Sequence, residues 1–295
     1  MKAGFVALIG VPNAGKSTLL NALLKFRLSI VSPSPQTTRH KIIGILNGKG
    51  YQICFQDTPG WLGHADDKLQ DMLIKSARSA AKQDADILVL LVEPKPPTPE
   101  TLAQLQRLAS AGKPLILAVN KIDLVPDRVR LEKTAQIYRD VLPPCDTVFI
   151  SALKKTGIEE LQAALVRLLP ESPAFYDGDR LSDRYERFFA SELIREEIFK
   201  QYRQEIPHAC AVAIEVFRER PGRADEIEAT IYVERPTQKG VLLGRKGAAL
   251  RDLTAKSRTA IENFTGRKTQ LGLWVKVRKN WRRDKRALKE LGYSV

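Results

Sequence analysis

Eight residues near the amino terminus, GVPNAGKS at residues 10–17, have the spacing of a phosphate-binding loop. This pattern needs a strand before it and a helix after it, and the sequence predicts both. In such a loop the glycines let backbone N–H groups surround a phosphate, a lysine contacts the β- and γ-phosphates, and a hydroxyl binds Mg²⁺. The nucleotide-binding residues predicted here are Gly10, Val11, Pro12, Asn13, Ala14, Gly15, Lys16, Ser17 and Thr18, with Lys16 as the charge on the phosphates and Ser17 as the Mg²⁺ ligand.

The sequence Asn120-Lys121-Ile122-Asp123 ends a predicted strand and favours guanine over adenine. Asp123 can accept hydrogen bonds from the ring N–H and exocyclic amine of guanine, an arrangement of donors that adenine lacks. Asn120 would join this loop to the phosphate loop, and the Lys121 stem would cover one face of the base. A later strand ends before Ser151-Ala152-Leu153, where we expect the Ala152 N–H to reach the guanine carbonyl.

Two further segments would sense the γ-phosphate. Asp57-Thr58-Pro59-Gly60 ends a strand, so Asp57 can hold the Mg²⁺ shell while the Gly60 N–H contacts the γ-phosphate. Thr38, in the polar stretch QTTRH, could complete the Mg²⁺ shell only in the triphosphate state. We assign the catalytic contacts to Lys16, Thr38 and Gly60. As a set, these elements resemble the translation-factor-related GTPases of the P-loop class.

The residue after DTPG is Trp61, where Ras-like GTPases carry a water-orienting glutamine. Indole cannot polarise the attacking water, so we expect slow intrinsic turnover. The alternative is that Trp61 is a packing residue and that a backbone group or a partner supplies the polar helper. Asn13 suggests a substitute, because a K⁺ ion bound at its amide oxygen could bridge the phosphates. The alternative is that Asn13 is an ordinary turn residue.

A second glycine loop, Gly244-Arg245-Lys246-Gly247, lies before a predicted helix in the most basic part of the chain. The glycines permit a close approach of RNA backbone, the helix amino terminus favours phosphate, and the two side chains add charge. Without this context the loop would be read as a surface turn that caps a helix. The RNA-binding residues predicted here are Gly244, Arg245, Lys246, Gly247, Lys239 and Arg251.

Bases would be read from the adjoining helix and from the strand that contains Glu228 and Thr230. Two tryptophans are possible stacking platforms. We interpret Trp274 as a packing residue, whereas the role of Trp281 is open.

Strands that alternate with helices must position the first loops, which predicts an α/β fold with a mostly parallel sheet. The predicted strands are 3–10, 51–57, 86–92, 115–120 and 146–150, with 41–47 as an added antiparallel edge. The predicted helices are 17–25, 69–83, 99–111, 128–140 and 157–169. We therefore expect a GTPase domain at residues 1–170 and a linker at residues 171–182.

The remaining residues, 183–295, are predicted to form an α+β type II KH domain with a basic carboxy-terminal helix. An amphipathic helix at 183–203 precedes strands at 209–219 and 226–234, a helix at 247–263 and a strand at 271–278. Residues 241–243 are expected to form an apolar turn before the glycine loop. In KH domains this loop clamps the backbone of about four single-stranded nucleotides.

Charge supports a polyanionic partner: the formal net charge is +14, and residues 234–295 carry +12 of it. The three cysteines form no CxxC pair, so we expect neither a disulfide framework nor a metal cluster. No apolar run approaches the ~20 residues of a membrane span. These features predict a cytoplasmic protein.

Across essentially all 295 residues, the motifs GxPNxGKS, QTTRH, DTPG, NKID and SAL, followed by SDRYERFFASELIREEIF and QKGVLLGRKGAAL, closely resemble the Era family of bacterial ribosome-assembly GTPases. The resemblance implies GTP hydrolysis with Mg²⁺ and binding of the 3′ end of 16S ribosomal RNA in the 30S small subunit, gated by the nucleotide. We expect a monomer. Two alternatives remain: a nucleotide-gated RNA-binding module with negligible hydrolysis, and a GTPase switch that associates peripherally with the membrane through its basic end.

Overall fold

The computed structural model describes residues 1–31, 39–57, 67–79, 84–109 and 112–293. The chain divides into two units, one of residues 1–64 and 73–183 and the other of residues 65–72 and 184–295. In the described ranges no helix is both long and apolar enough to pass through a lipid bilayer.

The first unit is built on a six-stranded sheet in the order β2-β3-β1-β4-β5-β6. All neighbouring strands are parallel except β2 and β3, which form the predicted antiparallel hairpin at one edge. Strands β4 and β5 are buried at every position, as expected for apolar runs covered on both faces. The strands are β1 (Lys2–Gly10), β2 (Ile42–Gly48), β3 (Tyr51–Asp57), β4 (Ile87–Val92), β5 (Leu115–Val119) and β6 (Asp146–Phe149).

Five helices follow the predicted positions within a few residues: α1 (Lys16–Leu24), α2 (Lys68–Ser79), α3 (Pro99–Ala109), α4 (Arg128–Val141) and α5 (Ile158–Leu168). Because β1, β3, β5 and β6 are parallel, their carboxyl ends lie along one edge of the sheet. The predicted nucleotide loops all start at these ends, which is where open α/β sheets bind ligands.

Residues of the predicted linker lie against the first unit. Glu171 and Ser182 form isolated bridges with Lys2 and Gly44 at the two ends of the segment. Between them, Gln52 Nε2 donates to the Tyr176 carbonyl at 2.8 Å. These bridges and the Gln52 side chain join the segment to the sheet.

The second unit has the α-β-β-α-α-β order of a type II KH domain. Its sheet has the order β7-β8-β9, with β7 antiparallel and β9 parallel to β8. The elements are α6 (Glu186–Gln201), α7 (Ile206–Ala209), β7 (Ala211–Arg218), β8 (Asp225–Val233), α8 (Pro236–Leu243), α9 (Ala248–Thr265), β9 (Thr269–Val277) and α10 (Lys285–Glu290).

Two local predictions for this unit were wrong. Residues 241–243 are not a turn but the last residues of α8, which begins with Pro236 in its first turn and ends at Gly244. Helix α6 is not amphipathic, because burial continues around it from residue 192 to residue 199. Its buried Arg195 Nη1 donates to both carboxylate oxygens of Glu192, at 2.9 and 3.1 Å, so burial there includes a paired charge.

The structure contradicts the interpretation of Trp274 and assigns a role to Trp281, which the sequence left open. Trp274 was interpreted as packing, but 47% of it is exposed, because strand alternation places it opposite the buried Leu273 and Val275. Trp281 is fully buried, and its Nε1 donates to the Ala209 carbonyl at 3.0 Å. Trp281 is therefore a core residue and is excluded as a stacking platform for bases.

Candidate nucleotide site and RNA-binding loop

The phosphate loop, residues 10–17, requires a glycine where it meets residues 120–123, which we call the base loop. Gly15 has φ +98° and caps the amino terminus of α1. A Cβ atom there would lie 2.4 Å from Asn120 Nδ2, closer than any stable contact. Glycine is therefore required both by the backbone conformation and by the neighbouring amide.

Lys16 is buried, and its ammonium group lies over its own loop. Nζ donates to the carbonyls of Gly10 and Val11, at 3.2 and 3.1 Å. Burial lowers the pKa of Lys16 to about 8, although the nearby Asp57 carboxylate opposes this shift. A phosphate placed in the loop would offer this charge a stronger partner than two carbonyl dipoles.

Ser17 and Asp57 meet as a candidate Mg²⁺ site. Ser17 Oγ donates to Asp57 Oδ2 at 3.0 Å, and Asp57 is fully buried. Burial raises the pKa of Asp57, while the Lys16 charge opposes that rise. Asp57 Oδ1 has no hydrogen-bond partner among the residues that the structure describes. Oxygen ligands with one buried oxygen left unsatisfied fit a hard cation such as Mg²⁺.

Asn120 joins the phosphate loop to the loop after β6. Its Nδ2 donates to the Ala14 carbonyl at 2.7 Å, and its Oδ1 accepts from the Ala152 N–H at 2.9 Å. The side chain is almost fully buried. The prediction that Asn120 holds two loops together agrees with this geometry.

The Ala152 N–H makes a contact that was not predicted: it donates to Asn120 Oδ1. Its expected contact with the guanine carbonyl stays a prediction. Leu153 is 71% exposed, and its aliphatic side chain can make no hydrogen bond. Sequence reasoning missed this contact because it joins residues 32 positions apart.

Asp123 is oriented by a serine. Ser151 Oγ donates to Asp123 Oδ1 at 2.5 Å and also accepts the Lys154 N–H at 3.1 Å. Asp123 itself is exposed, so its carboxylate is accessible to a base. Ser151 thus acts as a positioning residue for the predicted guanine-recognising group.

Glu93 is a site residue that the sequence analysis missed. It lies just after β4, and its Oε1 is 2.5 Å from Lys121 Nζ. Partial burial alone would raise the pKa of Glu93, but hydrogen bonds and charge from Lys121 and Lys95 hold it below its ordinary value. Lys121 has φ +64°, so both its backbone and its side chain are constrained. No sequence motif marks Glu93.

Several predicted residues lie outside the described part of the chain: Thr38, Thr58, Pro59, Gly60 and Trp61. Their assigned contacts to Mg²⁺ and the γ-phosphate therefore stay predictions.

In the second unit, the glycine loop connects α8 to α9. Gly244 and Gly247 have φ +66° and +75°, and Lys246 also has a positive φ of +50°. A Cβ atom at Gly244 would lie 2.6 Å from the Ala249 Cβ, so close helix packing requires glycine. Arg245 and Lys246 are exposed between the two glycines.

The other residues that were predicted to contact RNA differ in their surroundings. Arg251 Nη1 donates to the Lys246 carbonyl at 2.9 Å, which supports the loop conformation. Lys239 lies one turn before the end of α8 and is partly exposed. Of the strand assigned to base reading, Thr230 is only 2% exposed, which argues against a contact with a base. Glu228 is partly exposed on the same central strand, β8, and its role stays a prediction. The free sheet edge next to β8 belongs to β9.

Comparisons with known proteins agree with both units. A family model described as a 50S ribosome-binding GTPase matches residues 5–121, and a KH domain model matches residues 205–282. The chain is 40% identical to GTPase Era of Thermoanaerobacter sp. (strain X514), over 100% of this chain and 97% of that protein.

Two crystal structures are similar along the whole chain, each with 32% identity, a TM-score of 0.95 and 100% of both chains covered. One is an Aquifex aeolicus Era variant bound to GDP.AlF4⁻. The other is Era in complex with MgGDPNP and nucleotides 1506–1542 of 16S ribosomal RNA. With its nucleotide loops and its KH unit both matched over full length, the chain belongs to the GTPase Era family and is a GTP-binding and GTP-hydrolysing protein.

Proposed function

We propose that this GTPase is a nucleotide-controlled switch that binds the single-stranded 3′ end of 16S ribosomal RNA. The observation that carries the proposal is the presence of two phosphate-adapted loops in one chain. Asn120 joins the phosphate loop to the loop after β6, and the exposed Arg245 and Lys246 lie between two glycines at the start of α9. The relative crystallised with MgGDPNP and 16S ribosomal RNA supports this pair of ligands.

The nucleotide contacts follow from the geometry of the first unit. Backbone N–H groups of residues 10–18 and the Lys16 ammonium would surround the β- and γ-phosphates. Ser17, Asp57 and, in the triphosphate state, Thr38 would hold Mg²⁺, which offsets phosphate charge when bound. Asp123, fixed by Ser151, would accept from the guanine ring N–H and exocyclic amine.

Hydrolysis would depend mainly on positioning and charge. Lys16 would stabilise the charge that develops on the transferred phosphoryl oxygens, and the Gly60 N–H would contact the γ-phosphate. The Asn13 amide would bind K⁺ as an additional charge; its φ of +63° places it in a left-handed turn of the loop. Comparison of hydrolysis rates in KCl and NaCl tests this contact, and equal rates would eliminate the potassium site.

The RNA contacts follow from the glycine loop of the second unit. Gly244 and Gly247 permit the RNA backbone to approach, and Arg245 and Lys246 would bind phosphates without selecting sequence. Arg251 would keep the loop in shape through the Lys246 carbonyl. Bases would be read along α8 and the neighbouring sheet edge.

We extend the proposal to assembly of the 30S small subunit in the cytoplasm, with the protein acting as a monomer. The membrane alternative receives less support from the carboxy-terminal helix. In α10, Ala287 and Leu288 are buried in the unit, and Leu291 just after it is buried as well. Only the charged residues of this helix face outward, so any lipid contact would be electrostatic.

The test measures RNA binding and GTP hydrolysis separately. A 3′-end 16S RNA oligonucleotide should bind more tightly with a non-hydrolysable GTP analogue than with GDP. Replacing Arg245 and Lys246 by aspartate should abolish RNA binding while the hydrolysis rate without RNA stays unchanged. Lys16→Ala should remove nucleotide binding instead. Equal RNA affinity in all nucleotide states would reject the switch, and no product in a single-turnover reaction would favour the binding-only module.

A further inference from the structure

A cavity of about 320 Å³ lies in the second unit, at the opposite end of α8 from the glycine loop. The end of β8 and the start of α8 form one wall, and the segment after β9 forms the other. Both walls carry cations. The lining residues are Glu234, Arg235, Pro236, Lys279, Asn280, Arg282 and Arg283.

The charge of this cavity is not balanced by its own lining. Arg282 Nε and Nη2 both donate to Glu234 Oε2, at 2.9 and 2.6 Å, and its Nη1 lies 3.2 Å from Asp67 Oδ2, so Arg282 is paired with two carboxylates. Arg235, Lys279 and Arg283 are exposed and have no carboxylate partner among the residues that the structure describes. Three cations therefore lie outside these ion pairs, two of them guanidinium groups suited to phosphate oxygens, and cations still outnumber the nearby carboxylates of Glu234 and Asp67.

The loop that carries two of these cations is anchored in the core. Trp281 lies between Lys279 and Arg283 in sequence, is fully buried, and donates its Nε1 hydrogen to the Ala209 carbonyl. Its ring also stacks on Tyr293, with centroids 5.8 Å apart. The flanking cations are thus held on a fixed loop, which lowers the entropy lost when they bind a ligand.

The position of the cavity relates it to the glycine loop. Arg235 and Gly244 are the caps at the two ends of α8, nine residues apart. At about 1.5 Å per residue, they are separated by about 14 Å. A stacked single strand has one phosphate per about 3.4 Å, so this distance corresponds to about four nucleotides and to fewer in an extended strand. A KH loop clamps about four nucleotides.

We propose that this cavity is a second phosphate-binding site, which takes the backbone of the same RNA strand just beyond the nucleotides clamped by the glycine loop. The inference rests on the proposed RNA-binding function. It adds a length requirement: an oligonucleotide that fills only the glycine loop does not reach Arg283, whereas one about twice as long does. The site contributes affinity without reading bases.

The experiment compares two RNA probes from the 3′ end of 16S ribosomal RNA with the full-length protein bound to a GTP analogue. One probe has only the roughly four nucleotides that the glycine loop clamps, and the other has about twelve. Arg283→Gln should weaken binding of the longer probe only. For the longer probe, the plot of log affinity against log salt concentration should be less steep in Arg283→Gln than in the wild type, by about 0.7, the value for one lost phosphate contact. Between 50 and 200 mM KCl, the ratio of wild-type to variant affinity should then shrink by about 2.6-fold. Arg283→Lys should retain the wild-type slope.

A matched control is Arg223→Gln, which removes one exposed charge at the other end of β8. The eight residue steps of this strand put Arg223 on the order of 26 Å from the cavity. It should leave both probes unaffected, and an unchanged melting temperature of Arg283→Gln would exclude unfolding as the cause.

The outcomes separate the cavity from the proposed function. If Arg283→Gln weakens the binding of both probes to the same extent, or of neither, the second phosphate site is rejected. Arg245→Gln should weaken both probes, since it lies in the glycine loop. If it weakens neither, the proposed RNA function itself fails.

Discussion

Replacing Gly15 by alanine tests how the two nucleotide loops are joined. A methyl group there would lie 2.4 Å from Asn120 Nδ2, so the amide must move and lose its hydrogen bond to the Ala14 carbonyl. A buried group left unpaired costs about 1–3 kcal/mol. The φ of +98° adds about 1–2 kcal/mol for a residue with a Cβ.

The sum, about 2–5 kcal/mol, should be visible in GDP affinity. Without nucleotide the loop of the variant can relax, whereas bound nucleotide requires the loop in its folded conformation. The strain free energy therefore weakens nucleotide binding. Every 1.4 kcal/mol changes the dissociation constant tenfold, which predicts a loss of about 30-fold or more. Titration with a fluorescent GDP analogue measures it.

The matched variants separate contact from backbone strain. In an Asn120→Ala background the clash is absent, so Gly15→Ala should cost only the strain of its positive φ, about 1–2 kcal/mol. Gly50→Ala, at φ +82° with open space around it, should lower stability while GDP affinity stays unchanged. The same loss from Gly15→Ala in both backgrounds would refute the proposed contact with Asn120.

Other predictions concern burial and charge. Trp281→Phe should destabilise the second unit by about 1–3 kcal/mol, because a buried carbonyl loses its donor, whereas Trp274→Phe at the exposed position should change the denaturation midpoint little. Lys16→Met should stabilise the nucleotide-free protein at pH 7 by up to about 3 kcal/mol. Because burial lowers the pKa of Lys16 to about 8, folding there disfavours its charged form, and denaturation curves should show this gain shrinking between pH 8 and the unfolded pKa near 10.5. Glu93→Gln should weaken GDP binding several-fold, since Lys121 loses its ion-pair partner, and unchanged affinity would remove Glu93 from the site.

The sequence was sufficient for the loops whose function depends on local spacing. Glycines at fixed offsets from Lys16 and around Arg245 predict backbone that can approach phosphate, and strand ends predict where the loops meet. Alternating strand and helix patterns likewise predicted the first sheet with its antiparallel edge. These features can be predicted from the sequence because residues that are close together in the chain determine them.

Only the tertiary structure decided which side chains meet across the chain. Glu93 reaches Lys121, and the Ala152 N–H reaches Asn120, although no pattern of nearby residues requires either contact. The exposure of Trp274, which was interpreted as a packing residue, and the burial of Trp281, whose role was open, were decided in the same way. Burial depends on which strand face the helices cover and on where a loop folds back, and both are set by packing between distant segments.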